Sequence, residues 1–177
     1  SGESRNPDVQ SKLDTGLRRY DEIPVDAHGL VKLDVLEQIL REHKPQLVSI
    51  MLANNETGVI QPLADIAKLC KANGALLHTD AVQALGKIPV DIGALGADMM
   101  TLSAHKCGGA VGAAVLVVRR GTPYTALFSG GQEGRRRAGT ENVAAIAGFA
   151  KAIELFDFAH MQKLRGWLDG MENTMQS

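Results

Sequence analysis

The sequence predicts an α/β fold, a mainly parallel sheet covered by helices on both faces, on three observations. Short apolar runs with β-branched members alternate with segments of helical period, the order that builds parallel sheets. Each run stops in a polar cluster, and the carboxyl ends of strands are where open parallel sheets hold ligands. The composition is globular: 177 residues, 45% hydrophobic and 22% charged, a size that suits one core.

Residues 1–19 are polar and without a steady period, and are expected to form a lead-in tail. Asp26-Ala27-His28-Gly29 is a turn signal. After it, Asp34 is expected to cap a helix whose apolar positions Val35, Leu36, Ile39 and Leu40 recur at helical spacing and which ends near His43, before Pro45. Gln46 to Ala53 reads as a buried strand that leads into Asn54-Asn55-Glu56-Thr57-Gly58. A second helix starts at Pro62, buries Leu63, Ile66, Ala67, Leu69 and Cys70, and stops at Asn73-Gly74. Ala75 to Thr79 is the next strand, ending in Asp80. Asp98 to Ser103 forms a third, ending in Ala104-His105-Lys106, and Ala113 to Val118 a fourth after a glycine-rich turn. Val143 to about Leu168 reads as one long helix with Ile146, Phe149, Ile153 and Phe156 on one side. The expected organisation is a tail at 1–19, a partial domain at 20–168 and a second tail at 169–177.

Nineteen Lys and Arg against 20 Asp and Glu give a net charge of -1, so no global field draws this surface to nucleic acid or anionic lipid. Two cysteines, Cys70 and Cys107, are too few for a disulfide scaffold, and no apolar stretch approaches the roughly 20 residues that span a bilayer. A reducing, cytoplasmic setting without membrane attachment is the expectation. The start at Ser1-Gly2-Glu3 has neither an initiator Met nor a signal-peptide core, as an interior cut would leave it.

Amide, carboxylate, hydroxyl, imidazole and amine groups thus converge on one sheet edge: Asn54-Asn55 after the first strand, Asp80 after the second, Ser103-Ala104-His105-Lys106 after the third. Pyridoxal 5'-phosphate (PLP) is the cofactor that asks for both a lysine and an acid. Its aldehyde condenses with a lysine amine, and its ring nitrogen needs a carboxylate to keep the proton that makes the ring an electron sink. Ser103, His105 and the backbone of a glycine-rich turn suit its phosphate. Taken singly, Asp80 reads better as a helix cap and Lys106 as a solvated amine; their joint position favours a site.

Other motifs fail. Gly108-Gly109-Ala110-Val111-Gly112 lacks the dinucleotide-binding spacing, and Gly86-Lys87 is followed by Ile88 instead of Ser or Thr. His78, Asp80 and His105 have no tight metal-ligand spacing, so no metal is expected. Arg135-Arg136-Arg137 is flanked by Glu133 and Glu141 without interleaved aromatics, which argues against nucleic acid. A solvated loop is one reading of it, and an anion clamp framed by Gly130-Gly131 and Ala138-Gly139-Thr140 is another.

These residues resemble a known family, the cysteine desulfurases and selenocysteine lyases, fold-type I PLP enzymes of the class V aminotransferase group. The resemblance rests on Asn54-Asn55-Glu56-Thr57-Gly58, His78-Thr79-Asp80-Ala81-Val82-Gln83, Ser103-Ala104-His105-Lys106, Gly130-Gly131-Gln132-Glu133 and Ala138-Gly139-Thr140-Glu141-Asn142, which occur in family order over about residues 20 to 155. It implies part of the family's large domain, with the N-terminal segment and the small C-terminal domain outside this chain. It implies Lys106 as the catalytic lysine that carries the cofactor and moves the substrate proton, and Asp80 as the partner of the pyridinium nitrogen. Gln83 would meet the ring hydroxyl, Ser103 and His105 the phosphate, and Asn55 the substrate carboxylate. Thr140 would reach the phosphate of a partner subunit, which implies a homodimer.

The implied reaction takes L-cysteine to L-alanine and passes the sulfur to an enzyme thiol, then to an acceptor protein, as in iron–sulfur cluster assembly. The family's sulfur-accepting Cys, its ring-stacking His and its carboxylate-binding Arg are expected outside this chain. The chain departs from the family pattern at Cys107 with Gly108-Gly109-Ala110-Val111-Gly112, and at Gly134-Arg135, both in loops near the cofactor. Two further readings fit the same residues. One is a sister enzyme, a selenocysteine lyase or another class V aminotransferase; the other is a cofactor-free, partner-binding remnant.

Overall fold

The structure, a computed structural model, describes residues 21–175, so the lead-in tail expected at 1–19 lies outside the described residues. Asp26 opens the described chain with a turn: its Oδ1 accepts from the N–H groups of His28 at 2.8 Å and Leu30 at 2.9 Å, and Gly29 takes a left-handed φ of 81°. The Leu30 N–H contributes most to holding the Asp26 carboxyl below its ordinary value.

Helix α1 spans Leu33–His43 and buries Leu36 and Leu40. Asp34 lies inside its first turn and is not its cap, because the chain is already helical at Leu33; Lys32 holds the cap position without a side-chain bond. The Asp34 carboxylate there still complements the helix dipole. Pro45 disfavours helix at Lys44, which turns left-handed and ends α1.

Strand β1 (Leu47–Met51), helix α2 (Leu63–Ala72) and strand β2 (Leu76–Asp80) follow within a residue or two of expectation. Gly74, with φ 73°, makes the left-handed stop after α2. The single turn α3 (Ile92–Leu95) has no apolar period. Its signals are Asp91, which accepts from the Gly93 and Ala94 N–H groups, and Gly96 with φ 73°. Strand β3 (Met99–Ser103) runs straight into a 3-10 turn, Ala104–Lys106, and β4 (Ala114–Val118) returns beside it.

The sheet order is β1-β2-β3-β4, with the first three parallel and β4 antiparallel to β3. Register places Met51, Asp80 and Thr101 side by side, and Ser49 beside His78. Side chains alternate across a strand. One face therefore presents Val48, Leu77, Thr79, Met100 and Leu102, all buried in a core shared with Leu36, Leu40, Leu63, Ile66 and Cys70. The other presents Ser49, His78, Asp80, Thr101 and Ser103, none of them buried.

The expected single helix from Val143 is two. Helix α4 spans Val143–Glu154 and α5 Phe158–Met175, so that α5 continues through 169–175, the stretch expected as a tail. Asp157 makes the break, its carboxylate accepting from the Ala159 N–H at 2.9 Å to start a new helix. Of the expected stripe only Phe149 is buried, while Ile146 and Ile153 are exposed. No helix among the described residues is long and apolar enough to cross a membrane.

Within the core, Thr79 is fully buried and its Oγ1 has no hydrogen-bond partner among the described residues. A buried hydroxyl without a partner carries its desolvation cost uncompensated. Thr79→Val is therefore expected to raise stability by about 1 kcal/mol in denaturant unfolding; a loss would contradict this assignment.

Candidate functional site

The strand ends bring the expected groups to one edge. β2 ends at Asp80, which is half-buried and turns its Oδ1 to the Val82 N–H at 2.9 Å. That local bond fixes the carboxylate against the start of the following turn, with one oxygen left for another donor. On the neighbouring strand, Ser103 Oγ and His105 Nδ1 lie 2.9 Å apart, so hydroxyl and imidazole form a single polar group. Lys106 is exposed at the end of the 3-10 turn and has no ion-pair partner among the described residues.

Asn54 organises the loop after β1. Its Oδ1 accepts from the N–H of Glu56 and of Thr57, both at 2.9 Å, and Gly58 closes the turn with φ 73°. Asn55 is thereby held exposed at the apex. Gln83 is half-buried in the turn after β2, where its Oε1 accepts from Lys87 Nζ at 3.0 Å. Thr140 is exposed just before Asn142, whose side chain caps α4 through the Ala145 N–H. No hydrogen bond among the described residues joins Thr140 to Asp80, Ser103, His105 or Lys106.

The triple-arginine loop is tightly specified. Glu133, Gly134 and Arg135 all take positive φ, at 50°, 65° and 69°. A Cβ on Gly130 would collide with the backbone of Arg137 and Ala138. Gly130→Ala is expected to push this loop outward and speed tryptic cleavage at Arg135, Arg136 and Arg137. Unchanged cleavage would show that the loop tolerates the side chain.

Neither cysteine forms a nucleophilic site with a base. Cys70 is buried on α2, and burial, with Asp98 adding repulsion, pushes its thiol up to about 11. It is expected to resist alkylation at pH 8 until the protein unfolds, whereas half-buried Cys107 reacts first, as peptide mapping would report. Cys107 Sγ points at the Ala104 carbonyl, 3.3 Å away. Among the described residues no group of three His, Cys, Asp or Glu side chains gathers to hold a metal ion.

Two residues of the polar face escaped the reading of motifs. His78 Nδ1 is 2.7 Å from Ser49 Oγ, and its Nε2 is 2.8 Å from Thr101 Oγ1, so one imidazole links three adjacent strands. The signal that could have found Ser49 and Thr101 is alternation, since each is a polar position between apolar neighbours.

The sequence and the fold have counterparts. The family model described as Aminotransferase class-V matches residues 12–174. A cysteine desulfurase from Sinorhizobium fredii is 50% identical over 138 residues, 77% of this chain and 35% of the relative. The solved NifS-like protein from Rickettsia africae superposes with a TM-score of 0.80 at 41% identity, over 87% of this chain and 44% of that one. A structure described as SspA in complex with cysteine matches with a TM-score of 0.76 at 31% identity, over 84% of this chain and 44% of that one. The chain thus spans about a third of the curated relative and less than half of each of these solved chains.

Proposed function

The chain belongs to the class V aminotransferase family, and from that premise we propose that it forms the cofactor-binding part of a cysteine desulfurase. The whole protein would take L-cysteine to L-alanine and pass the sulfur to an enzyme thiol. The observation that carries this reading is the meeting of Asp80, Ser103, His105 and Lys106 at the carboxyl ends of two adjacent parallel strands.

PLP is the cofactor of this family, and the donor set suits it: a carboxylate that uses one oxygen on the Val82 N–H, a hydroxyl–imidazole pair and an amine without an ion-pair partner among the described residues. When bound, the group supplies an electron sink for the charge left on the substrate Cα. Asp80 would hold the ring-nitrogen proton, a charge-assisted bond of the strong kind. Ser103 and His105 would hold the phosphate, Gln83 would release Lys87 to meet the ring hydroxyl, and Asn55 would orient the substrate carboxylate. Lys106 Nζ would carry the cofactor and then take and return the proton at the substrate Cα.

A homodimer in which Thr140 serves the partner's phosphate is part of the reading that family membership suggests. A sulfur-acceptor protein, iron–sulfur cluster assembly as destination and a cytoplasmic location belong to the same proposal. The solved structure described as SspA in complex with cysteine supports cysteine as the amino acid bound.

The test is to load the whole protein, including the segment that carries the accepting thiol, with PLP and add L-cysteine. The bound-cofactor spectrum is expected to change on addition, with L-alanine released. A spectrum indifferent to L-cysteine but responsive to another amino acid would reassign the substrate, and one indifferent to all would overturn the reading.

A further inference from the structure

On the polar face of the sheet, one imidazole joins hydroxyls from both flanking strands, two residues before Asp80 on the same strand. We propose that His78 is a positioning residue for Asp80, acting through Thr101. This rests on the reading of Asp80 as the ring-nitrogen partner of PLP.

The geometry has three parts. His78 and Asp80 are two residues apart on β2, so both side chains lie on the same face. Thr101 is the register partner of Asp80 on β3, and its hydroxyl is 2.8 Å from His78 Nε2. Ser49, the register partner of His78 on β1, is 2.7 Å from Nδ1. A neutral imidazole has one donor and one acceptor nitrogen, and a hydroxyl can serve as either, so both bonds form together in either tautomer. Burial holds His78 below its ordinary value while the nearby Asp80 charge opposes that, in keeping with a neutral ring.

The three strands are thus tied side to side through His78, and only the Thr101 end of that tie reaches the register position of Asp80. Backbone ladders fix register but leave side-chain rotamers free. The Nε2 bond removes that freedom from Thr101, the neighbour that would otherwise rotate beside the carboxylate. The Nδ1 bond does the same for Ser49, which lies one step farther from Asp80.

Two conservative variants separate these roles. Asn places a polar atom near the position of Nδ1 and keeps Ser49; Gln reaches the position of Nε2 and keeps Thr101. His78→Gln is expected to bind PLP within about twofold of the parent with the same visible absorbance maximum. His78→Asn and His78→Leu are expected to bind about tenfold more weakly, the effect of losing about one hydrogen bond, with a shifted maximum. The cofactor-free Asn and Gln variants should melt alike, since each keeps one hydroxyl partner. Asn and Gln variants with equal affinity and spectrum would overturn the proposal while leaving the cofactor site intact, as would a Leu variant indistinguishable from the parent. A parent protein that takes up no PLP would overturn both readings.

Discussion

Lys106→Ala is expected to abolish the red-shifted absorbance that separates bound from free PLP, and with it all turnover of L-cysteine. The loss should be complete because the amine has two tasks, holding the cofactor and moving the proton at the substrate Cα, and no neighbouring lysine can replace it. Lys87 lies in the turn after β2, and its Nζ donates to the backbone carbonyl of Gln83 at 2.9 Å, a bond that does not depend on the Gln83 side chain. Lys106 is exposed and outside the buried core, so the substitution should leave thermal unfolding of the cofactor-free protein unchanged. A variant that keeps the red-shifted band would remove Lys106 from the site.

Asp80→Ala is the second large effect. A hydrogen bond to a charged group contributes about 1.5–3 kcal/mol, so PLP affinity should fall by about 10- to 100-fold. The Asp80 carboxylate also accepts from the Val82 N–H, so the variant frees the start of the turn that carries Gln83. Asp80→Asn separates these effects, because its amide oxygen still accepts from Val82 while its charge is gone. Asn is expected to restore the turn but not the affinity, as equilibrium titration with PLP would measure. Wild-type affinity in Asp80→Asn would mean that the carboxylate faces no positive charge.

Most of the sheet was legible because its strands are short apolar runs closed by polar residues, and those closing residues are the candidate site itself. Asp80 and Ser103-Ala104-His105-Lys106 end their strands as periodicity predicts, and Gly74 stops α2 where Asn73-Gly74 signalled. Local competition hid other features. Asp34 satisfies the rule for a helix cap yet lies within the first turn of α1, and Asp157 interrupts a helical period that continues past it. Ser49, His78 and Thr101 became one group only through inter-strand register, which is a tertiary property. Each was visible as a polar position in a strand, but nothing within a single strand says which polar position lies beside it.

The most direct test of the central claim is to incubate the protein with PLP, reduce with borohydride and map the modified peptide by mass spectrometry. The account predicts one modified lysine, Lys106, and none in Lys106→Ala. Modification of Lys87 or another lysine with Lys106 untouched, or no modification at all, would contradict it.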